Sequence, residues 1–387
     1  MQGKVIVLVD GPAVLLRVPA LLNGLRAAGL SVTVASSESA NIFMPPLAYS
    51  ALSGHASLSF AALSSERLHE ADLVMAAPLS LQLLELLAGE GWEERRQALK
   101  RPLLVAPALL PTDLQPAFMD ELAARLGPQF ALIRPSAAAE PLGALGALCV
   151  ASVEQCLEAA LTALTPQDCR DMRLLVTAGP TAEDADPARY VTNRSTGRMG
   201  VALAVKAARR GAKVLLIHGP MTWPVPPHAG IECCAVRSAQ QMYDAVTARL
   251  PEHNAAILCA AVADYTPVAY SREKIKKGQE STFSLLLQRT PDILAAVGAL
   301  PSRPFLVGFA AETHEVEANA REKLYRKGCD MLCANDISEA GSGFAVATNR
   351  VTVHLRDGSS IELPMQSKLE VADAILDLML ARWQQGR

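Results

Sequence analysis

Residues 190–200 read YVTNRSTGRMG. Asn193, Arg194, Ser195 and Thr196 stand in a row between an apolar strand and a helical stretch, and Gly197 and Gly200 follow them. A glycine-containing loop ahead of a helix N-terminus presents backbone N–H groups to an anion, aided by the helix dipole. Hydroxyls and an amide add neutral donors. The set suits a phosphate, or a carbonyl gaining negative charge; the plainer alternative is that Ser195 or Thr196 caps the helix. With Gly179 and Thr181, which end the preceding strand, Arg194, Ser195 and Thr196 form a candidate substrate-binding group. AVADY puts Asp264 at another strand end, where a cap or turn role is the alternative. EKIKKG carries Lys274, Lys276 and Lys277, either a solvated surface or a loop that closes over polyphosphate. TPDIL (290–294) predicts a helix start with Thr290 as cap and Pro291 at the first helical position. AREKLYRKG (320–328) places Lys323 and Lys327 on one helix face. Together these stretches put cationic and N–H-rich groups around one sheet edge, as a triphosphate requires.

The elements that must position them repeat a design. VIVLVDGP (5–12) is a buried-strand pattern ending in Gly-Pro, followed by a helical stretch and the strand LSVTVAS. RLLVTAGP (173–180) opens a second such unit, with ALAVKAARRGA and then KVLLIHGP. Both are β-turn-helix-β units, the building block of a parallel sheet. The predicted fold class is α/β, with two Rossmann-like or flavodoxin-like domains and mostly parallel sheets. A helix beginning near 151 ends near Thr165, where Pro166 breaks it, and sets domains of 1–168 and 169–387. Further strands are expected at 71–78, 101–111, 130–136, 254–265, 304–313, 329–336 and 349–358. Open parallel sheets bind ligands outside their carboxyl ends, here GPT, AVADY, GFAAET and AND.

The chain of 387 residues is 50% hydrophobic, 19% charged and only 4% aromatic, so Ala, Leu and Val build its core. A net charge of -3 gives no reason to expect nucleic acid or an anionic membrane as partner. No apolar run reaches the roughly 18 residues of a membrane span. The opening MQGKVIVLVDGP reads as a first strand and not a signal peptide. Eight cysteines without a CxxC pair are expected as reduced thiols in a cytoplasmic protein. Neither first turn carries GxGxxG, which argues against a nicotinamide dehydrogenase.

The stretches GPTAEDADPARYVTNRSTGRMG, AAVADY, KIKK, PDIL, GFAAET, the ARxKLxxKGxD pattern and AND, in that order, make residues 171–387 resemble phosphopantothenate–cysteine ligase, the C-terminal half of the bifunctional coenzyme A biosynthesis proteins of bacteria. The resemblance implies CTP-dependent activation of 4′-phosphopantothenate as an acyl-cytidylate, attack by cysteine, Mg²⁺ held largely by phosphates and water, and a homo-oligomer that is dimeric through this half and larger through the N-terminal domain. It implies that Asn193 acts on the acyl-cytidylate and that Lys274 belongs to a flexible loop near the neighbouring subunit's site. It assigns Ala260, Asp264, Lys274, Pro291, Asp292, Ile293, Leu294, Phe309, Lys323 and Lys327 to the nucleotide. Thr290 replaces the family's asparagine.

The N-terminal half resembles the partner domain, an FMN-dependent phosphopantothenoylcysteine decarboxylase, through LLNGLRAAGLSVTVASSESANIFMPPLAYSALSG, ADLVMAAP and LLVAPALL. Ser37 falls where that family has a phosphate-binding hydroxyl, and Gly11, Ser37 and Ser80 are the vestigial FMN candidates. The departures are larger. Ser64 stands in the place of a histidine, with His69 five positions late; Leu110 replaces an asparagine; Gln82 is a faint echo of another; and Cys149 lies in an apolar run and not in a glycine-rich loop. The expectation is a domain that keeps its fold without its reaction. The alternatives are a fully bifunctional enzyme and a non-catalytic flavodoxin-like assembly or regulatory protein.

Overall fold

The computed structural model describes all residues except 1–2, 136–137, 144–145, 278–280, 313–315, 340 and 386–387. Thr313 of GFAAET and parts of the 135–152 segment holding Cys149 therefore lie outside the described residues. The chain divides into two compact units, residues 1–166 with 226–228, and residues 167–225 with 229–387.

In the first unit, β1 (Lys4–Val9), β2 (Ser31–Ser36), β3 (Leu58–Ser59), β4 (Leu73–Leu79), β5 (Leu103–Pro107) and β6 (Phe130–Leu132) form one sheet in the order β3-β2-β1-β4-β5-β6. All of its pairs are parallel. The strands are near-continuous Val, Leu and Ala runs because helices cover both faces. One layer of core joins Val5, Val7 and Val9 to the helices Val14–Ala27 and Val153–Leu164; the other joins Ile6 and Leu8 to Leu83, Leu84 and Leu87 of the helix Leu81–Ala88. The helix Val153–Leu164 begins in a Ser152–Gln155 capping box and ends at Thr165, as the sequence predicts. The expected strand at 130–136 stops at Leu132. A short hairpin, β7 (Glu140–Pro141) and β8 (Ala147–Leu148), follows.

The second unit is built on an eight-stranded sheet. Its order is β13 (Ile231–Ala235), β12 (Lys213–His218), β9 (Arg173–Ala178), β14 (Ala255–Leu258), β17 (Phe305–Glu312), β18 (Met331–Asp336), β19 (Thr348–Leu355) and β20 (Ser360–Ser367). The first six are parallel, and β19 and β20 close one edge antiparallel. The helices Arg198–Arg209 and Lys368–Gln385 pack on one face. The helices Ala239–Arg249 and Val316–Arg326 cover the other. Two hairpins stand outside the sheet: β10 (Ala182–Asp186) with β11 (Arg189–Thr192), and β15 (Tyr265–Pro267) with β16 (Leu287–Arg289). No sequence pattern announced them, since both are short and polar. Among the described residues no helix is long and apolar enough to cross a membrane.

Candidate active site

In both units the first strand has its sequence-later neighbours on either side, β2 and β4 flanking β1, and β12 and β14 flanking β9. Such a switch in strand order opens a crevice at the carboxyl ends. In the second unit a cleft of about 1000 Å³ lies there. It gathers Gly179, Asn193, Ser195 and Thr196 with Ala260, Asp264, Pro291, Asp292, Ile293, Leu294, Phe309, Lys323 and Lys327. Segments more than a hundred residues apart thus meet in one place. A cleft of similar size, lined by Asn254, Arg303, Phe305 and Asp330, lies at the amino ends of the same strands; its Arg303 and Asp330 are spent on each other.

A ladder of hydrogen bonds fixes the floor of the cleft. Ala260 N–H donates to Thr177 Oγ1 (3.1 Å), Ala261 N–H to the Gly179 carbonyl (2.9 Å), and Ala263 N–H to Thr181 Oγ1 (3.0 Å). Thr181 is fully buried in this ladder and does not line the cleft, so its expected substrate role is corrected to a structural one. Asn193 Nδ2 donates to the carbonyls of Ala261 (3.0 Å) and Val262 (3.2 Å), tying β11 to the AVADY turn. Arg194 is exposed and outside the cleft lining.

The helix Arg198–Arg209 starts without a side-chain cap: its N-cap is Gly197, left-handed at φ +81°. Capping by Ser195 or Thr196 is therefore excluded. Ser195 Oγ accepts from Gly197 N–H (3.4 Å), and Thr196 Oγ1 donates to the Phe344 carbonyl (3.0 Å). Gly200 lets the helix press on β9: a Cβ there would lie 2.5 Å from Ala178 Cβ. A second correction concerns TPDIL. The helix is Ile293–Gly298, and its cap is Asp292, whose carboxylate accepts from Ala295 N–H (2.9 Å). Thr290 instead donates to the Ala263 carbonyl (2.6 Å). Asp292 also pairs with Lys327. Burial raises the Asp292 pKa, but Lys327 and the cap bond outweigh it and hold the carboxyl below its usual range.

Lys274 is exposed and does not line the cleft. Its loop is anchored at the next residue, Ile275, whose N–H donates to Asp186 (3.0 Å) and whose carbonyl accepts from Arg189 (2.9 Å).

The structure adds residues that the sequence reading missed. Arg198 lines the cleft and stacks on Trp223 at 4.0 Å. Arg289, Arg326, Asn335 and Asn349 also line it. Lys368 is the most telling. It is 4% exposed and its Nζ donates to the carbonyls of Gly343 (2.8 Å) and Phe344 (3.2 Å). Burial, then repulsion from Arg198, pushes its pKa down to about 8. The available signal was a lysine at the first position of a helix, against the dipole. No group of three or more metal-ligating side chains occurs among the described residues.

In the first unit, Ser37 and Ser80 cap the helices Glu38–Phe43 and Leu81–Ala88. Both hydroxyls donate to the carboxylate of Asp10, as does Ser39 (2.9 Å). Ser64 caps the helix Ser65–Glu70 by accepting from Arg67 N–H (3.3 Å). His69 is hydrogen-bonded to the Ala98 carbonyl (3.3 Å). Gln82 and Leu110 are exposed, and Cys149 is 1% exposed in the core. Asp10 was missed, although an acidic residue closing an apolar strand was visible in VIVLVD.

The family described as DNA/pantothenate metabolism flavoprotein C-terminal domain matches residues 169–382. The coenzyme A biosynthesis bifunctional protein CoaBC of Vibrio vulnificus (strain YJ016) is 36% identical over 392 residues, covering 97% of each chain. That of Escherichia coli (strain K12) is 35% identical over 405 residues, covering 100% of this chain and 98% of its own. The crystal structure of the C-terminal domain of a CoaBC protein aligns with 57% of this chain and 99% of its own, at 37% identity and a TM-score of 0.48. The chain belongs to the family of bifunctional coenzyme A biosynthesis proteins.

Proposed function

We propose that the second unit ligates 4′-phosphopantothenate to L-cysteine at the expense of CTP. The observation that carries the reading is the single cleft that brings Asn193 and Ser195 together with Asp264, the Asp292 turn, Lys323 and Lys327. CTP enters as its magnesium complex, the ion being held by phosphate oxygens and water, as Mg²⁺ prefers. A carboxylate oxygen of phosphopantothenate attacks the α-phosphorus, the bond to the β-phosphate oxygen breaks, and pyrophosphate leaves. The amine of cysteine then attacks the acyl carbon of the cytidylate, loses a proton, and expels CMP to leave the amide.

Each step has a matching part of the cleft. Lys323, Lys327, Arg326 and Arg289 offset the repulsion between two anionic substrates. Asp264, exposed in the loop between β14 and β15, is placed to accept from a nucleotide's hydroxyl or amino group. Asn193 holds two backbone carbonyls with its amide protons in this state. Turning one toward the acyl oxygen would stabilise the oxyanion formed when the amine attacks. Lys274, outside its own cleft, fits a homo-oligomer in which the loop serves the neighbouring copy.

The test separates the half-reactions. Asn193→Ala is expected to release pyrophosphate from CTP and phosphopantothenate at a rate near wild type, and to form amide about 100-fold more slowly, the range for removing one oxyanion donor. Equal loss of both steps would return Asn193 to a purely structural role.

A further inference from the structure

The family implies a flavin in the first unit, and the crevice where β2 and β4 diverge around β1 is where such sheets take one. The groups that meet there are already committed. Asp10 follows β1 and is 8% exposed. Ser37 and Ser39 donate to its Oδ1, and Ser80 donates to its Oδ2. Ser37 Oγ also accepts from Ala40 N–H (3.0 Å), and Ser80 Oγ from Leu83 N–H (3.1 Å). The two cap hydroxyls therefore pass the positive ends of their helices on to one carboxylate. Gly11 N–H donates to Ser39 Oγ (3.1 Å), which closes the ring.

We propose that Asp10 is a built-in anion standing where a cofactor phosphate would sit, so that the first unit does not take up FMN. A serine hydroxyl has one proton to donate, and those of Ser37, Ser39 and Ser80 all go to Asp10. A phosphate entering the crevice would find no free hydroxyl donor among the three and would face a carboxylate of its own sign. The acid is ionised there: burial raises its pKa, but the bonds from Ser37, Ser80 and Ser39 outweigh burial and hold it below the usual carboxylate range. The residues present thus fit a filled cradle and do not fit the flavin's phosphate, and no flavin-dependent step is assigned to this chain.

The experiment uses the full chain and titrates FMN and riboflavin in parallel by flavin fluorescence, with wild type and Asp10→Ser. Wild type is expected to purify colourless and to bind FMN no more tightly than riboflavin. Asp10→Ser is expected to prefer FMN over riboflavin by about 100-fold, the scale of relieving a like-charge contact. A wild-type protein that carries stoichiometric FMN, or that favours FMN over riboflavin, overturns the proposal. So does a folded Asp10→Ser that favours FMN over riboflavin no more than wild type does. Should the variant fail to fold, the wild-type ratio of FMN to riboflavin affinity decides alone. Ligation, assayed in the same samples, reports separately on the second unit.

Discussion

Lys368 shows how much one side chain reveals about the cleft. Its ammonium is held on two carbonyls in a buried place beside Arg198, and its pKa of about 8 lies well below the ordinary 10.4 of a lysine. The charged form is disfavoured in the free protein by burial and by the neighbouring Arg198. A bound triphosphate changes that balance, since each phosphate oxygen favours the ammonium and raises its pKa. Below pH 7 the lysine is protonated before and after binding, and no proton moves. Near pH 8 the free protein holds about half a proton at this site and the complex a full one, so binding takes up roughly half a proton. Calorimetry of the nucleotide in buffers of different ionisation enthalpy reads this directly. The heats should diverge near pH 8 and coincide near pH 6.5, and Lys368→Met should abolish the divergence. Buffer-independent heats at pH 8 would place the phosphates away from Lys368. The same depressed pKa bears on stability. The unfolded chain keeps this proton up to the ordinary lysine range while the folded chain loses it near 8. The penalty is therefore fully present below pH 8 and relieved between about 8 and 10.4.

At the scale of elements, the decisive contact is the one between the helix Arg198–Arg209 and β9, because the NRST loop hangs between the β10–β11 hairpin and that helix. Gly200 sits against Ala178 Cα and the Thr177 carbonyl, each 3.0 Å from where a Cβ would stand. Backbone cannot yield as a flexible side chain can, so Gly200→Ala must lift the helix. The expected cost is about 1–3 kcal/mol, typical of overpacking, read as a lower midpoint in urea at unchanged slope. Thr196 and Gly197 move with the helix, so affinity for the nucleotide should fall as well. A variant that unfolds like wild type would refute the close approach. The same region marks the limit of what the residues disclosed in advance. The parallel strands were legible because Val-, Leu- and Ala-rich runs ending in Gly-Pro or polar residues have few other readings. The NRST stretch was legible as a loop leading into a helix. The two hairpins were not, because Ala182–Asp186 and Leu287–Arg289 lack the alternation of a half-buried strand. The cap at Asp292 was misread as Thr290 because Thr-Pro is a good helix start in isolation, and only the tertiary bond from Thr290 to Ala263 reveals its other use. Lys368 and Asp10 escaped notice because each takes its meaning from partners far away in sequence.

At the scale of the whole molecule, the sign of the charge and the place of the charge disagree. The chain carries a net charge of -3, yet among the described residues the cleft is lined by six cationic side chains, Arg198, Arg289, Lys323, Arg326, Lys327 and Lys368, against two acidic ones, Asp264 and Asp292. A concave site with low-dielectric walls focuses such a local excess. Added salt screens this field over a Debye length of about 8–10 Å near physiological strength. The two substrates that carry phosphate should feel the screening, and cysteine, a zwitterion near neutral pH, should not. Steady-state kinetics should therefore show KM for the magnesium–nucleotide complex rising by about threefold to tenfold between roughly 0.05 and 0.5 M salt, with KM for cysteine nearly constant. Neutralising Lys323, which lies within the cleft and is not an ion-pair partner of Asp292, should flatten the nucleotide's salt dependence as well as raise its KM at low salt. If both KM values shifted in parallel, the salt would be acting on the fold, and the cationic lining would not be the source of nucleotide capture.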